Sequence, residues 1–354
     1  MLRLKDIKLR PKLIGLFLIV GLIPLAIVGF WTARISSDAM MQGEYAQLRS
    51  IRETKKAQVE DYFSRVNDEM NSLGRTVDSL RQAAFHELEA VHENQARAVE
   101  HYLNSNDIAR GDIAPGTRVD REINRIVGIR AGLGETGESY VTEQVNDRIY
   151  FRSDMETMGD GEFVFGYDAT PIAPEYLRRA HAGESGSEVF TDSAGQLVMV
   201  VFSHLDVAGM NWALITKMNL EEAITPTLTG DTEDYFAHFN KEHGYYDLFL
   251  IHPEGRIFYS VAQEADYNTN IIDGKYADSS LGEAVREALE TKEMAFGDFR
   301  PYEPSDGVPA AFIADPIVHN GSVELIVGLQ MPLSEINGIM QARTGMGETG
   351  ETYL

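Results

Sequence analysis

Cysteine is absent from the chain. That excludes disulfide scaffolds, thiolate metal sites and cysteine nucleophiles, and it fits either side of a bacterial inner membrane. Positive charge is scarce: 31 Lys and Arg stand against 55 Asp and Glu, a net charge of −24. Nucleic-acid binding is disfavoured on that balance, because phosphate contact needs basic patches. The acidity reads as surface solvation rather than as a site. No Gly-x-Ser-x-Gly elbow and no Gly-Lys-Ser/Thr loop occurs, so two common catalytic signatures are missing. His86, His92 and His101 share a predicted helix but lack the i, i+4 spacing of a helical metal pair. They read as solvated helix-face residues.

Charge is also missing from Leu13 to Ala33. Roughly 20 apolar helical residues cross a hydrocarbon core, and a cleaved signal peptide carries a shorter run. Leu13–Ile35 is therefore expected to be an uncleaved transmembrane helix, with Pro24 tolerated inside it and Trp31 at an interface. Arg3, Lys5, Lys8, Arg10 and Lys12 precede the span, which places the N-terminus in the cytoplasm and the bulk outside.

What the chain does contain, it partly contains twice. The segment from Ile123-Asn124 to Gly132-Leu133-Gly134-Glu135-Thr136-Gly137-Glu138-Ser139-Tyr140 recurs from Ile336-Asn337 to Gly345-Met346-Gly347-Glu348-Thr349-Gly350-Glu351-Thr352-Tyr353. Both copies spell GxGxxG. A dinucleotide loop needs a strand before the glycines and a helix after them. Here a helix, Arg121–Arg130, precedes and a strand follows. The expected structure is a helix C-cap and tight turn with glycines at positive φ. The second copy stops at Leu354, which reads as a repeated module in an N-terminal fragment of something longer.

Ser36 to Asn106 is expected to form one long helix, or two broken near Gly74. Val59, Tyr62, Val66, Met70, Leu73, Val77, Leu80, Ala84, Leu88 and Val91 form its apolar stripe. The stripe can pack on a second subunit, on a domain of its own chain, or on both. Turn signals then divide two further stretches into strands. The first has strands at Glu138–Gln144, Arg148–Ser153, Ser187–Asp192, Gln196–Leu205 and Asn211–Met218, with a helix at Pro174–His181. The second has strands at Tyr245–Ile251, Arg256–Val261, Met294–Arg300, Ala310–Val318 and Val323–Met331, with a helix at Ser279–Glu290. Each is an α+β unit with a five-stranded antiparallel sheet, not a Rossmann layout, and such a sheet with its covering helices can enclose a small cavity.

Several segments together resemble a known family. These are Lys8-Leu9-Arg10-Pro11-Lys12-Leu13-Ile14-Gly15, Ile51 to Phe63, Gly244-Tyr245-Tyr246-Asp247-Leu248-Phe249-Leu250-Ile251, Glu264-Ala265-Asp266-Tyr267-Asn268-Thr269-Asn270 and Gly345 to Leu354. They are similar to the extracytoplasmic sensory regions of bacterial chemoreceptors (methyl-accepting chemotaxis proteins) and related transmembrane sensors, built from PAS-like Cache modules behind a long helix. The resemblance implies a ligand-sensing receptor of the bacterial inner membrane, with a small-molecule ligand and a homodimer formed through the long helix. It also implies cytoplasmic signalling partners reached through an output domain that this chain lacks. A methyl-accepting output is the first reading and a histidine kinase or nucleotide cyclase the alternative; a membrane-anchored enzyme is the weaker one. Neither a cofactor nor an enzymatic activity is expected.

The implied organisation is residues 1–12 cytoplasmic, 13–35 transmembrane, 36–106 long extracytoplasmic helix and 120–220 first module. A helical linker at 221–243, a second module at 244–333 and a connector at 334–354 opening a truncated further module complete it. Arg152 is a candidate clamp for a carboxylate-bearing ligand, with Tyr140, Tyr150, Asp154 and Ser203 around the same cavity; its alternative is a pair with a nearby surface acid. In the second module Tyr246, Tyr259, Asp266, Tyr267, Asn270 and Tyr302 are candidates, since tyrosine offers an apolar body with a polar handle. Their alternative is core packing with Asx turns at Asp266 and Asn270. The acidic loop of Asp154, Glu156, Asp160 and Glu162 lacks EF-hand spacing; it is expected to be a lid, with no metal.

Overall fold

The structure is a computed structural model that describes residues 9–106, 108, 112–155, 165–192, 196–226, 233–347 and 350–353. Helix α1 spans Leu9–Ser105 without interruption and carries Pro24 inside it. Its first part is long and apolar enough to cross a membrane, with a mean hydropathy of 2.8 and no burial against protein. The helix does not break at Gly74. A β-carbon there would lie 2.6 Å from Asp315 Oδ2, so the glycine makes room for a packed neighbour.

The chain forms two compact units, Met1–Val66 with Ser334–Leu354, and Asn67–Leu333. In the first, Lys55 is buried and its Nζ donates to the carbonyls of Ile339 and Met340, each at 2.8 Å. These belong to the last turn of a helix at Leu333–Gln341. A cation there answers the unpaired carbonyls and the negative end of the helix dipole.

The second unit holds two sheets. Strands β1 (Glu138–Val145), β2 (Arg148–Phe151), β3 (Gly186–Thr191), β4 (Leu197–Val207) and β5 (Met210–Asn219) form one, in the order β2-β1-β5-β4-β3. Strands β6 (Asp247–Ile251), β7 (Ile257–Ser260), β8 (Ala295–Tyr302), β9 (Val308–His319) and β10 (Ser322–Met331) form the other, in the order β7-β6-β10-β9-β8. Every strand pairing within these two sheets is antiparallel. The two orders are the same pattern, so the chain carries tandem PAS-like sheets of the α+β class, as expected. Tight turns close the hairpins where Asn146, Gly209, Asn320 and Gly321 take positive φ.

Each strand alternates between two faces. On one face of the first sheet, Val141, Trp212 and Leu214 pack against Val99 and Leu103 of α1 and against Ile123 and Val127 of α2 (Arg118–Val127). The opposite face carries Tyr140, Phe151, Val200, Phe202 and Ile215, covered by Tyr176 and Leu177 of α3 (Glu175–His181). In the second sheet, Phe249, Ile251, Phe312 and Ile326 pack with Leu281 and Val285 of the helix Ser280–Thr291.

The buried line of α1 departs from the predicted stripe. Beyond Val77 it includes Arg81, His92 and Gln95. His92, read from sequence as solvated, is 4% exposed. Its Nδ1 lies 2.9 Å from Thr216 Oγ1 and its Nε2 lies 2.8 Å from Ser203 Oγ. Hydroxyls from two strands satisfy the ring, and burial pushes its pKa down to about 4, so it stays neutral. Gln95 donates to the carbonyls of Val127 and Ile129, closing the end of α2.

The repeated glycine turn has its predicted backbone. Gly132 and Gly134 take φ of 84° and 60°, and Gly345 and Gly347 take 81° and 70°. In the first copy the turn meets an anion supplied by the protein. The Glu222 carboxylate, on a short helix Leu220–Ile224, accepts the backbone N–H groups of Glu135 at 2.5 Å and Thr136 at 2.8 Å.

Candidate ligand-binding site

A cavity of about 970 Å³ opens on the face of the first sheet turned away from α1. Strand alternation builds its floor from Tyr140, Phe151, Val198 and Lys217. Ala173, Pro174, Tyr176 and Leu177, at the start of α3, form one wall; Phe190, Thr191, Asp192 and Gln196 form another. Glu135, Thr136 and Asn219 also line it, which brings the glycine turn to its edge.

Its aromatic surfaces are fixed by their neighbours. Tyr140 meets Phe151 edge-on at 5.5 Å, and Tyr176 meets Phe190 edge-on at 5.2 Å. The hydroxyls of Tyr140 and Tyr176 are 3.5 Å apart. Burial pushes both phenols above their ordinary range, so both remain neutral donors. Lys217 pairs with Glu138 on the neighbouring strand at 3.0 Å, and Asp192 accepts the Gln196 N–H. An apolar, aromatic floor with a few polar and charged groups suits a small organic molecule with a charged head. Among the described residues no three His, Asp or Glu side chains are grouped to hold a metal.

The structure separates the residues that the sequence placed around one cavity. Tyr140 lines it. Tyr150 and Arg152 alternate with Ile149 and Phe151, whose side chains join the cavity-side core, and so fall on the other face. There the Arg152 guanidinium holds the buried Glu143 carboxylate, with Nε at 2.7 Å and Nη2 at 2.6 Å. It also lies over the rings of Phe165 and Tyr150. The acid it pairs with is thus a buried strand residue rather than a surface one, and the guanidinium lies away from the cavity. Asp154 ties the chain after β2 to α2: its N–H donates to Asn124 Oδ1 at 2.8 Å. Ser203 is on the α1 face with His92. Glu156, Asp160 and Glu162 lie outside the described residues.

In the second module Tyr246 donates to Glu264 at 2.7 Å, and Tyr302 donates to Asp266 at 2.5 Å. Tyr259 points elsewhere, to Asp234 at the N-terminus of a helix Tyr235–His243. Asn270 locks a turn: its Oδ1 accepts the N–H of Ile272 and Asp273, and its Nδ2 donates to the Glu254 carbonyl. That is the Asx-turn alternative. Tyr267 is half-buried beside this turn. Sequence reasoning overlooked Tyr176, Phe190, Asp192 and Lys217. Lys217 was within reach, since it is two residues past Ile215 on an alternating strand.

No family model matches the chain, and no curated protein is a significant match. Among solved structures it is similar to the ligand-binding domain of the Campylobacter jejuni chemoreceptor Tlp3 in complex with L-valine. That similarity has 10% identity and a TM-score of 0.45, over 80% of this chain and 97% of that one. The ligand-binding domain of the Pseudomonas aeruginosa amino acid chemoreceptor PctC in complex with GABA is similar at 14% identity and a TM-score of 0.40, over 75% of this chain and all (100%) of that one. That of the Pseudomonas fluorescens chemoreceptor CtaA in complex with L-serine is similar at 14% identity and a TM-score of 0.41, over 77% and 99%.

Proposed function

We propose that this chain is the extracytoplasmic ligand-sensing region of a bacterial transmembrane receptor, most simply a methyl-accepting chemotaxis protein. One observation carries the reading: the first sheet has an open cavity on one face and the helix leaving the membrane segment on the other. Neighbouring residues of one strand serve the two sides, Phe202 in the core on the cavity side and Ser203 toward His92 of α1. A ligand that prefers one arrangement of this sheet biases the helix by its differential affinity for the two states. The basic N-terminus supports a cytoplasmic start in the inner membrane. Exposed Met40, Met41, Tyr45 and Leu48 on α1 support a homodimer along that helix. A histidine kinase or cyclase output is the alternative, and it leaves the sensing role unchanged.

The cavity selects a small amphiphilic solute, with its apolar body on Tyr140, Tyr176 and Phe190 and its charged head toward Lys217 and Asp192. Thermal shift of the detergent-solubilised chain against amino acids, organic acids and amines tests this. A ligand at about 100 times its Kd stabilises by roughly 2.7 kcal/mol. Lys217→Met is expected to weaken a carboxylate-bearing hit, and Arg152→Ala to leave its affinity intact. Hits indifferent to Lys217→Met, Tyr176→Ala and Phe190→Ala alike would remove the cavity as the site.

A further inference from the structure

The face of the second sheet that packs under the helix Ser280–Thr291 ends in a polar cluster. Asp247 has the parity of Phe249 and Ile251 on β6 and is fully buried. Its carboxylate accepts the N–H groups of Leu248 and Ala262 and the Ser260 hydroxyl, so its needs are met. Asp266, equally buried, accepts the Tyr302 hydroxyl on Oδ2, and the backbone N–H groups of residues 266 and 267 also bear on its carboxylate; its Oδ1 is buried without a hydrogen bond of good geometry. Gln330 is 3% exposed. Its Nε2 donates to Ser305, which donates to Glu264, while its Oε1 is also buried without a partner.

The cluster thus has too many acceptors and too few donors. Asp247, Asp266 and Glu264 all bear on the Tyr302 hydroxyl, and no cation is among the groups that influence it. Burial pushes Asp247 up to about 6 and Asp266 upward as well, and no Lys or Arg charge opposes either. An orphaned buried acceptor is destabilising, and an uncompensated buried charge is more so. What would relieve both deficits is a positive charge that carries N–H donors. The side chains are not arranged as metal ligands. Tyr246, bonded to Glu264, is 48% exposed and gives the cluster an edge on solvent.

We propose that this cluster is a second ligand site, separate from the first-module cavity, which binds ammonium or the head of a small primary amine on Asp266 Oδ1 and Gln330 Oε1. Asp247 and Glu264 supply the surrounding negative field. The test uses the whole chain in detergent, titrated with ammonium or methylammonium chloride against sodium and tetramethylammonium chloride at equal ionic strength. The expected result is a saturable thermal stabilisation by ammonium and methylammonium alone. Asp266→Asn and Gln330→Leu should each weaken it at least tenfold, and Lys217→Met should leave it unchanged. Equal stabilisation by sodium or tetramethylammonium would overturn the proposal as a salt effect. No response, with Asp266→Asn as stable as the parent, would show a neutral carboxyl closing the core. A response abolished by Lys217→Met would belong to the first-module cavity. If Asp266→Asn does not fold, Gln330→Leu decides, and unchanged affinity in it refutes the site.

Discussion

Replacing His92 by Gln should change how stability depends on pH, with a magnitude that burial sets. The ring is held neutral between Ser203 and Thr216, with its pKa down at about 4. In the unfolded chain an imidazole titrates near 6.5. Between those values the unfolded state binds more protons than the folded one, so stability rises with pH across that window. The contribution is fully present above pH 6.5 and has fallen by about 3 kcal/mol at pH 4, at about 1.4 kcal/mol per pH unit through the middle. The wild-type profile alone would hide this. Burial pushes Asp247 and Asp315 up to about 6 each; they take up protons in the folded state and stabilise it as pH falls through the same range. The informative quantity is therefore the stability of wild type minus that of His92→Gln, from urea unfolding at pH 4 to 7.5. Trp212 fluorescence is a local reporter, fully buried in the same sheet, and Trp31→Phe removes the only other tryptophan. The difference should shrink by about 3 kcal/mol on going from pH 7 to pH 4. A difference constant to within about 0.5 kcal/mol would mean that His92 is not desolvated in the native state.

Two further substitutions probe the repeated turn. Gly137→Ala would set its Cβ 2.1 Å from the Leu133 carbonyl oxygen, so a loss of about 2 kcal/mol or more is expected in urea unfolding. Gly43→Ala, with nothing within 4 Å, should be neutral or slightly stabilising; equal effects at both positions would contradict the packing account. Partial burial pushes the Glu222 carboxyl up, but bonds from Thr136 and from the N–H groups of residues 135 and 136 win and hold it below its ordinary range. Glu222→Gln should therefore cost about 1 kcal/mol at neutral pH. The cost should vanish as pH falls below the carboxylate range, and hydrogen exchange should quicken at residues 133–137.

The strands were legible because turn residues punctuate them: Asn146-Asp147, Ala208-Gly209 and Asn320-Gly321 mark hairpins that formed. The buried line of α1 was legible only where it is apolar. From Leu80 onward the pattern favoured Leu80, Ala84, Leu88 and Val91; Leu88 is buried as expected, but the other packed residues include Arg81, Phe85, His92 and Gln95. Arg81 is answered by Glu324 and His92 by Ser203 and Thr216. Those partners are more than a hundred residues away, and hydropathy carries no trace of them. The candidate residues of the first module were grouped on both faces of the sheet for a related reason. Alternation already put Phe151 and Arg152, like Phe202 and Ser203, on opposite faces. Which face opens to a cavity depends on which one α1 covers, and that is a tertiary fact. Arg152 drew attention by its chemistry, although its partner Glu143 was equally visible on the neighbouring strand.

The central claim is that one sheet links a ligand on its outer face to α1 on its inner face. Hydrogen exchange of the detergent-solubilised chain, with and without the strongest solute from the thermal screen, tests it most directly. Protection is expected at residues 174–177 and 189–192 of the cavity, together with altered exchange in α1 at residues 88–103. Protection confined to the second sheet, or a protected cavity with α1 unchanged, would contradict the claim.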